Sequence, residues 1–294
     1  MHDINFTHKH ELDAHDFLGC CKDCQASLDI IKPHIMAFSE RIKKYNRQML
    51  EALDPNDLYR IYQLLDDLAH MEAGARLAGL ILDEPDIRRE LPIIRSYYSA
   101  FFSIHEKHLA EKLFKSDSPW ETLQYFPLYS RYEILVRSQI EAIKKTTNST
   151  MAFVGCGPVP ITLILMSHLY GIRSIGLDCS KEAVNLAKKV IQVLGLENEI
   201  QIINGDDLYL RELSWDVALV AALSEPKGRI FQTLRGILKG RKMHLPVIYR
   251  TYTGMQAVLH EPVQPEDIEG FTIVKKILPT GRVNNTIVIA ELSE

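Results

Sequence analysis

The residues Phe153-Val154-Gly155-Cys156-Gly157-Pro158-Val159-Pro160 form the first chemically suggestive cluster in the chain. An apolar run before the glycines reads as a strand, and the apolar run after Pro160 reads as a helix. A glycine turn between two such elements lets a ligand approach the backbone closely. Gly155, Gly157 and Pro158 are therefore candidate ligand-binding residues for a nucleotide or nucleoside, set against a tight turn that uses small residues for packing. A pyrophosphate would need free N–H groups at the helix N-terminus. Pro158 and Pro160 remove two of those donors, and the third glycine of the dinucleotide fingerprint is absent. A nucleoside without phosphates needs neither, which favours S-adenosylmethionine over NAD.

Two acidic residues fall at matching places downstream. Asp178 ends the second expected strand, 21 positions after Gly157, where a carboxylate suits two ribose hydroxyls. Asp206, in Asn204-Gly205-Asp206-Asp207, follows the third strand. It suits an adenine amino group and equally suits a cap for the segment after it.

Other residue types at expected element ends suggest how a substrate is held. Arg250 and Tyr252 leave the fifth strand at the end where open α/β sheets hold their ligands, and a guanidinium there can grip a carboxylate through two hydrogen bonds. A structural ion pair is the alternative for Arg250. Asn284 and Asn285 read as substrate contacts or turn residues alike. Glu106 shares a helix face with Phe102 and Leu109. A carboxyl among apolar neighbours resists ionisation and becomes a better base, although a solvated edge is the commoner fate of such a position. Tyr132, with Tyr129 and Arg131 beside it, reads by itself as core or interface. Near the start, His2, His8, His10, His15, Cys20, Cys21 and Cys24 crowd together. Cys21-Lys22-Asp23-Cys24 has the spacing of half a zinc site, but no second pair follows, so an incidental tail without metal is expected.

The elements that position these groups divide the chain in two. From about Leu12 to Gln139 the periodicity is helical, with helices expected over Leu28–Leu53, Asn56–Leu80, Glu84–Glu90 and Leu91–Phe114 and from Ser118 onward. The Ser118 hydroxyl is expected to cap the last of these, ahead of Pro119. After Lys145, short apolar runs alternate with amphipathic helices. Strands are expected at Met151–Val154, Ser174–Leu177, Ile200–Ile203, Val217–Ala221 and Met243–Tyr249, with helices at Ile161–Tyr170, Lys181–Leu194 and Gly228–Leu238 between them. This alternation implies a parallel sheet with helices on both faces. Phe271–Leu278 and Thr286–Leu292 must pair antiparallel. A parallel sheet closed by such a hairpin is, by fold analogy, the usual architecture of S-adenosylmethionine-dependent transferases, so the expected fold is α/β, a Rossmann-like S-adenosylmethionine-dependent transferase domain (133–294) preceded by an all-helical N-terminal domain (1–132).

The bulk numbers narrow the class of protein. The 294 residues are 46% hydrophobic and 24% charged, with a formal net charge of −4, which suits a globular chain and not one that neutralises nucleic-acid phosphates. No expected helix is long and apolar enough for a bilayer. The odd count of five cysteines reads as a reducing, cytoplasmic compartment. The partners expected are small molecules, not nucleic acid or membrane, and the sequence is silent on oligomeric state.

Six segments, in order, resemble the nicotianamine synthase family, including its archaeal and bacterial members. They are Ser116–Leu123, Phe126–Tyr132, Gly155–Pro160, Val220–Lys227, Tyr249–Met255 and Gly281–Thr286. Ser130 and Cys156 depart from the archaeal pattern, which usually has proline and a small residue there, and the first 30 or so residues have no clear match. The resemblance implies a helical domain joined to a Rossmann-like one. It also implies transfer of the 3-amino-3-carboxypropyl (aminobutyrate) group of S-adenosylmethionine to an amine, with release of methylthioadenosine. The expected product is a nicotianamine-like metal chelator, a metallophore, and glutamate is the favoured acceptor. S-adenosylmethionine is expected as co-substrate, with no metal required for catalysis. By the same resemblance Glu106 and Tyr132 are the expected catalytic pair. Ala221 joins Gly155, Gly157, Pro158, Asp178 and Asp206 as cofactor-binding, and Tyr129, Arg131, Arg250, Tyr252 and Asn284 are substrate-binding. A small-molecule methyltransferase and a non-catalytic S-adenosylmethionine sensor are the competing readings.

Overall fold

The structure, a computed structural model, describes residues 22–143, 149–242 and 245–293. His2, His8, His10, His15, Cys20 and Cys21, together with the Cys24 side chain, lie outside the described residues. Among the described residues there is no cluster of three or more potential metal ligands, and no helix is long and apolar enough to cross a membrane.

Among the described residues the N-terminal part is helical: α1 (Lys22–Ile42), α2 (Arg47–Glu51), α3 (Pro55–Ala69), α4 (Ala75–Asp83), α5 (Pro85–Phe114), α6 (Pro119–Gln124) and α7 (Tyr129–Ile143). Three boundaries differ from expectation, each for a local reason. The first long helix is split because the Asn46 side chain accepts the Met49 N–H and starts α2 afresh. The second ends at Ala69, and α4 begins after the Gly74 cap. The two helices expected around residue 90 are one 30-residue helix that runs through Pro92. A proline there costs a backbone hydrogen bond, but Ile87, Leu91, Ile94, Tyr98 and Phe101 form one buried stripe across it, and that packing decides. The Ser118 hydroxyl makes no cap bond. Instead the Ser116 hydroxyl accepts the Ser118 N–H at 3.0 Å and pairs with Thr122 at 2.7 Å.

The remainder is a seven-stranded sheet in the order β3-β2-β1-β4-β5-β7-β6. Its strands are β1 (Thr150–Val154), β2 (Arg173–Asp178), β3 (Ile200–Asn204), β4 (Val217–Val220), β5 (Val247–Thr251), β6 (Phe271–Ile277) and β7 (Thr286–Leu292). The first five are parallel; β7 runs antiparallel between β5 and β6. The fifth strand lies further along than the expected Met243–Tyr249. Helices α8 (Ile161–Tyr170), α9 (Lys181–Val193) and α10 (Lys227–Arg241) cross between strands. One apolar core joins α1–α9 to the sheet, and a second, around Trp215, Phe231 and Tyr249, fills the side covered by α10. The expected domain boundary at 132/133 falls inside α7, which packs on α8 and β7. Helix α7 thus carries Arg131 and Tyr132 directly against the sheet's helical cover. The Trp120 indole N–H, which reaches the Leu194 carbonyl at 3.2 Å, adds a second tie between the two parts.

Candidate active site

The sheet order reverses between β1 and β4, and an open α/β sheet presents its ligand crevice at that point, beyond the strands' C-terminal ends. Register fixes the level of the crevice floor: Val154 at the end of β1 pairs with both Leu177 and Val220. Over that floor lies a cavity of about 710 Å³, walled on its other side by α5, α7 and the loop between β6 and β7. Its size falls within the usual span of small-molecule sites.

Gly155 and Gly157 both line the cavity, and the space around them is tight. Gly155 and Gly157 both adopt positive φ, 81° and 71°, a conformation that favours glycine. A Cβ on Gly155 would meet Ser224 Oγ at 1.8 Å, and one on Gly157 would meet Glu106 Oε2 at 2.8 Å. The glycines therefore make room for protein side chains, and the second admits the Glu106 carboxyl to the cavity. Gly157→Ala is expected to cost about 1–2 kcal/mol of stability through its φ. It is also expected to slow turnover by displacing Glu106, which thermal denaturation and steady-state rates would measure side by side.

Pro158 lines the cavity without an N–H, and the Val159 N–H between the prolines bonds toward Glu106 and favours its ionised form. Asp178 sits at the tip of β2 and lines the cavity. Its Oδ2 accepts the Gly157 N–H and its Oδ1 the Ser180 N–H, both at 2.9 Å. Asp206 also lines the cavity, and its carboxylate takes the capping role. Oδ1 accepts the Leu208 N–H at 3.0 Å, while Oδ2 receives Arg229 Nη1 at 3.1 Å. Ala221 belongs to the cavity wall, its N–H bonded to the Val154 carbonyl at 3.0 Å.

Glu106 projects from α5 into this cavity. Burial, reinforced by the nearby Asp178 carboxylate, pushes its pKa from the usual 4.5 up to about 8. Tyr132 stands within its electrostatic reach on α7. Burial raises the phenol first, the Glu106 charge adds to that, and the Arg250 guanidinium opposes both. Arg250 is 5% exposed. Its Nη2 donates to Gln139 Oε1 at 3.0 Å and Thr162 Oγ1 at 2.9 Å, and its Nε has no partner. Among the described residues no carboxylate pairs with it. Burial accordingly pulls its pKa down to about 10. Tyr252 is buried in the same wall, its hydroxyl donating to Tyr98 Oη at 3.3 Å.

One expected substrate contact is placed otherwise. Tyr129 is buried in the helical core and does not line the cavity. Arg131 does line it, but both terminal guanidinium nitrogens are engaged by Asp66 at 2.7 and 2.8 Å. Asn284, on the β6–β7 loop, lines the cavity and donates to Tyr62 and Asp66. Sequence reasoning missed Tyr62 and Asp66. The available signal was a tyrosine and a carboxylate four positions apart on the same face as the buried Leu58, Ile61 and Leu65 of α3.

Comparison with known proteins follows the same outline. A family model described as nicotianamine synthase protein matches residues 80–294. Probable nicotianamine synthase 4 of Arabidopsis thaliana is 27% identical over 184 residues, 59% of this chain and 57% of its own length. L-histidine 2-aminobutanoyltransferase of Pseudomonas aeruginosa is 25% identical over 172 residues, 57% of this chain and 61% of its own. The chain thus spans little more than half the length of those curated relatives. A crystal structure of MtNAS in complex with MTA and tNA superposes with a TM-score of 0.82 at 33% identity, covering 90% of this chain and 98% of that one. A mutant of MtNAS in complex with S-adenosylmethionine gives 0.81 at 32%, covering 94% and 100%.

Proposed function

The chain belongs to the nicotianamine synthase family, and from that premise we propose that it transfers the 3-amino-3-carboxypropyl group of S-adenosylmethionine to the amino group of an amino acid. Methylthioadenosine leaves, and the product is a nicotianamine-like chelator. Glutamate is the favoured acceptor. The observation that carries this reading is Glu106, a carboxyl pushed up to about 8 and pressed against the glycine loop at Gly157.

The residues present fit such a co-substrate. The loop offers no row of N–H donors for phosphates: the Gly155 and Cys156 N–H groups go to the Leu177 carbonyl, that of Gly157 to Asp178, and the Val159 N–H between the prolines is turned to Glu106. The Asp178 carboxylate brings negative charge beside the loop, which suits a sulfonium. Arg250, a buried cation whose partners are neutral, suits the carboxylate of the amino-acid arm. S-adenosylmethionine supplies an electrophilic γ-carbon bonded to a positively charged sulfur.

Each residue then has a defined task. An amino-acid amine is protonated at neutral pH and carries no free pair. Glu106 removes its proton, with a basicity raised toward that of the amine by burial. The Tyr132 hydroxyl, within the same electrostatic field, steadies the carboxyl and relays the proton outward. Arg250 and Tyr252 anchor the arm so that the γ-carbon, not the methyl, faces the nucleophile, and placement of this kind supplies most of the selectivity. The amine nitrogen forms the new C–N bond as the C–S bond breaks; the bonding pair leaves with sulfur as a neutral thioether. Asp178 holds the ribose, and Asp206 with Ala221 borders the adenine.

Acceptor choice is read by incubating the protein and S-adenosylmethionine with glutamate or histidine and determining product mass. Aminobutyrate addition to glutamate in preference to histidine is expected. Addition to histidine alone would overturn the acceptor assignment while leaving the reaction type intact.

A further inference from the structure

Asp66 has no part in the reaction above and precedes the residues matched by the family model. It is fully buried on α3. Burial alone would raise its pKa, but the Arg131 guanidinium outweighs that and holds the carboxyl below its ordinary value, so it is ionised and only accepts hydrogen bonds. Oδ1 receives Tyr62 Oη at 3.1 Å, Arg131 Nη1 at 2.7 Å and Asn284 Nδ2 at 3.1 Å. Oδ2 receives Arg131 Nη2 at 2.8 Å and Arg282 Nη2 at 2.6 Å. Arg282 also pairs with Asp67 at 2.7 Å.

This arrangement dictates which way the Asn284 amide faces. An amide has a donor end and an acceptor end, and the surrounding hydrogen bonds determine its orientation. The Asn284 nitrogen donates to Asp66 and, at 3.2 Å, to Tyr62 Oη. Both amide protons are spent. The oxygen, Oδ1, is buried without a partner on a residue of the cavity wall, and a buried acceptor left alone is costly. The charges nearby leave the acceptor unopposed: the Arg131 and Arg282 guanidiniums are offset by Asp66 and Asp67. Asn284's partners belong to α3, on the helical side of the cavity, away from the ends of β2 and β3 where the nucleoside is placed.

We propose that Asp66 is a positioning residue that fixes the Asn284 amide so that its oxygen accepts an N–H of the amino-acid acceptor's amino group. This rests on the transfer reading and adds to it an atom, a ligand group and the device that orients them. It also reassigns Arg131, which secures Asp66 instead of gripping a substrate carboxylate.

The test is a double-mutant cycle with Asn284→Leu and Asp66→Asn, read by steady-state kinetics in both substrates. Each single variant is expected to raise the acceptor KM roughly ten- to hundredfold, the range for a hydrogen bond to a charged group. The KM for S-adenosylmethionine and kcat stay close to the parent's. Asp66→Asn added to Asn284→Leu is expected to raise the acceptor KM no further. Asn284→Leu keeps the Asp66–Arg131 pair, so it decides the matter should Asp66→Asn fail to fold. An Asn284→Leu protein that saturates with acceptor at the parent's concentration overturns this assignment alone, as does strict additivity in the cycle. A parent protein that releases no methylthioadenosine overturns the transfer reading and this assignment with it.

Discussion

Glu106→Gln is expected to bind S-adenosylmethionine nearly as well as the parent and to lose transfer by about 10²–10⁴-fold, the usual share of a general base. The amide keeps the size and position of the carboxyl against Gly157 but cannot take a proton. With the pKa pushed up to about 8 in the unliganded protein, the parent's kcat/KM should climb about tenfold per pH unit up to about pH 8 and then level. The variant should lack that limb. Stability moves the opposite way. A carboxyl whose folded pKa lies above its unfolded value favours folding fully only below the unfolded pKa, and the advantage is lost as pH rises through the folded one. Glu106→Gln should therefore gain stability relative to the parent between about pH 4.5 and about pH 8. Denaturation at pH 5 and pH 9 measures this, and an unchanged difference would show that the carboxyl is not strained.

Arg250→Met is expected to lower kcat/KM by about 10²–10³-fold, with the loss concentrated in binding of the amino-acid arm. Truncating one member of a buried charge pair costs about 2–5 kcal/mol, and here the other member arrives with the substrate. The free protein should not suffer in proportion. Arg250 is buried among neutral partners, and its lowered pKa records what that burial costs the charge. A thermal midpoint equal to or above the parent's, combined with the lost affinity, distinguishes a ligand-gripping arginine from a structural one. A variant that unfolds at low temperature while the survivors turn over normally would mark it as structural.

The Rossmann-like half was legible because each strand there is a short apolar run bounded by an amphipathic helix, a pattern set locally. Helix boundaries were less so. Asn46 stops a helix by capping the next one, and Pro92 is overridden by the apolar stripe from Ile87 to Phe101. Neither outcome is visible in periodicity. In the site, Glu106, Arg250 and Asp178 stood out because a charged residue on an apolar face or at a strand end is conspicuous by itself. The glycines were legible as a turn, but not that Gly157 faces Glu106, more than fifty positions earlier in the chain. Asp66 was visible as a carboxylate on the apolar face of α3, but its role was not, for the same reason at greater range. Its partner Asn284 lies 218 residues away, and no local pattern announces a bond of that span.

The account stands on which carbon of the sulfonium is attacked, and a label on the methyl carbon reads that directly. With methyl-¹³C S-adenosylmethionine and glutamate, mass spectrometry is expected to find all the label in methylthioadenosine and none in the amino-acid product. Label carried into the amino acid, with adenosylhomocysteine as the other product, would contradict it.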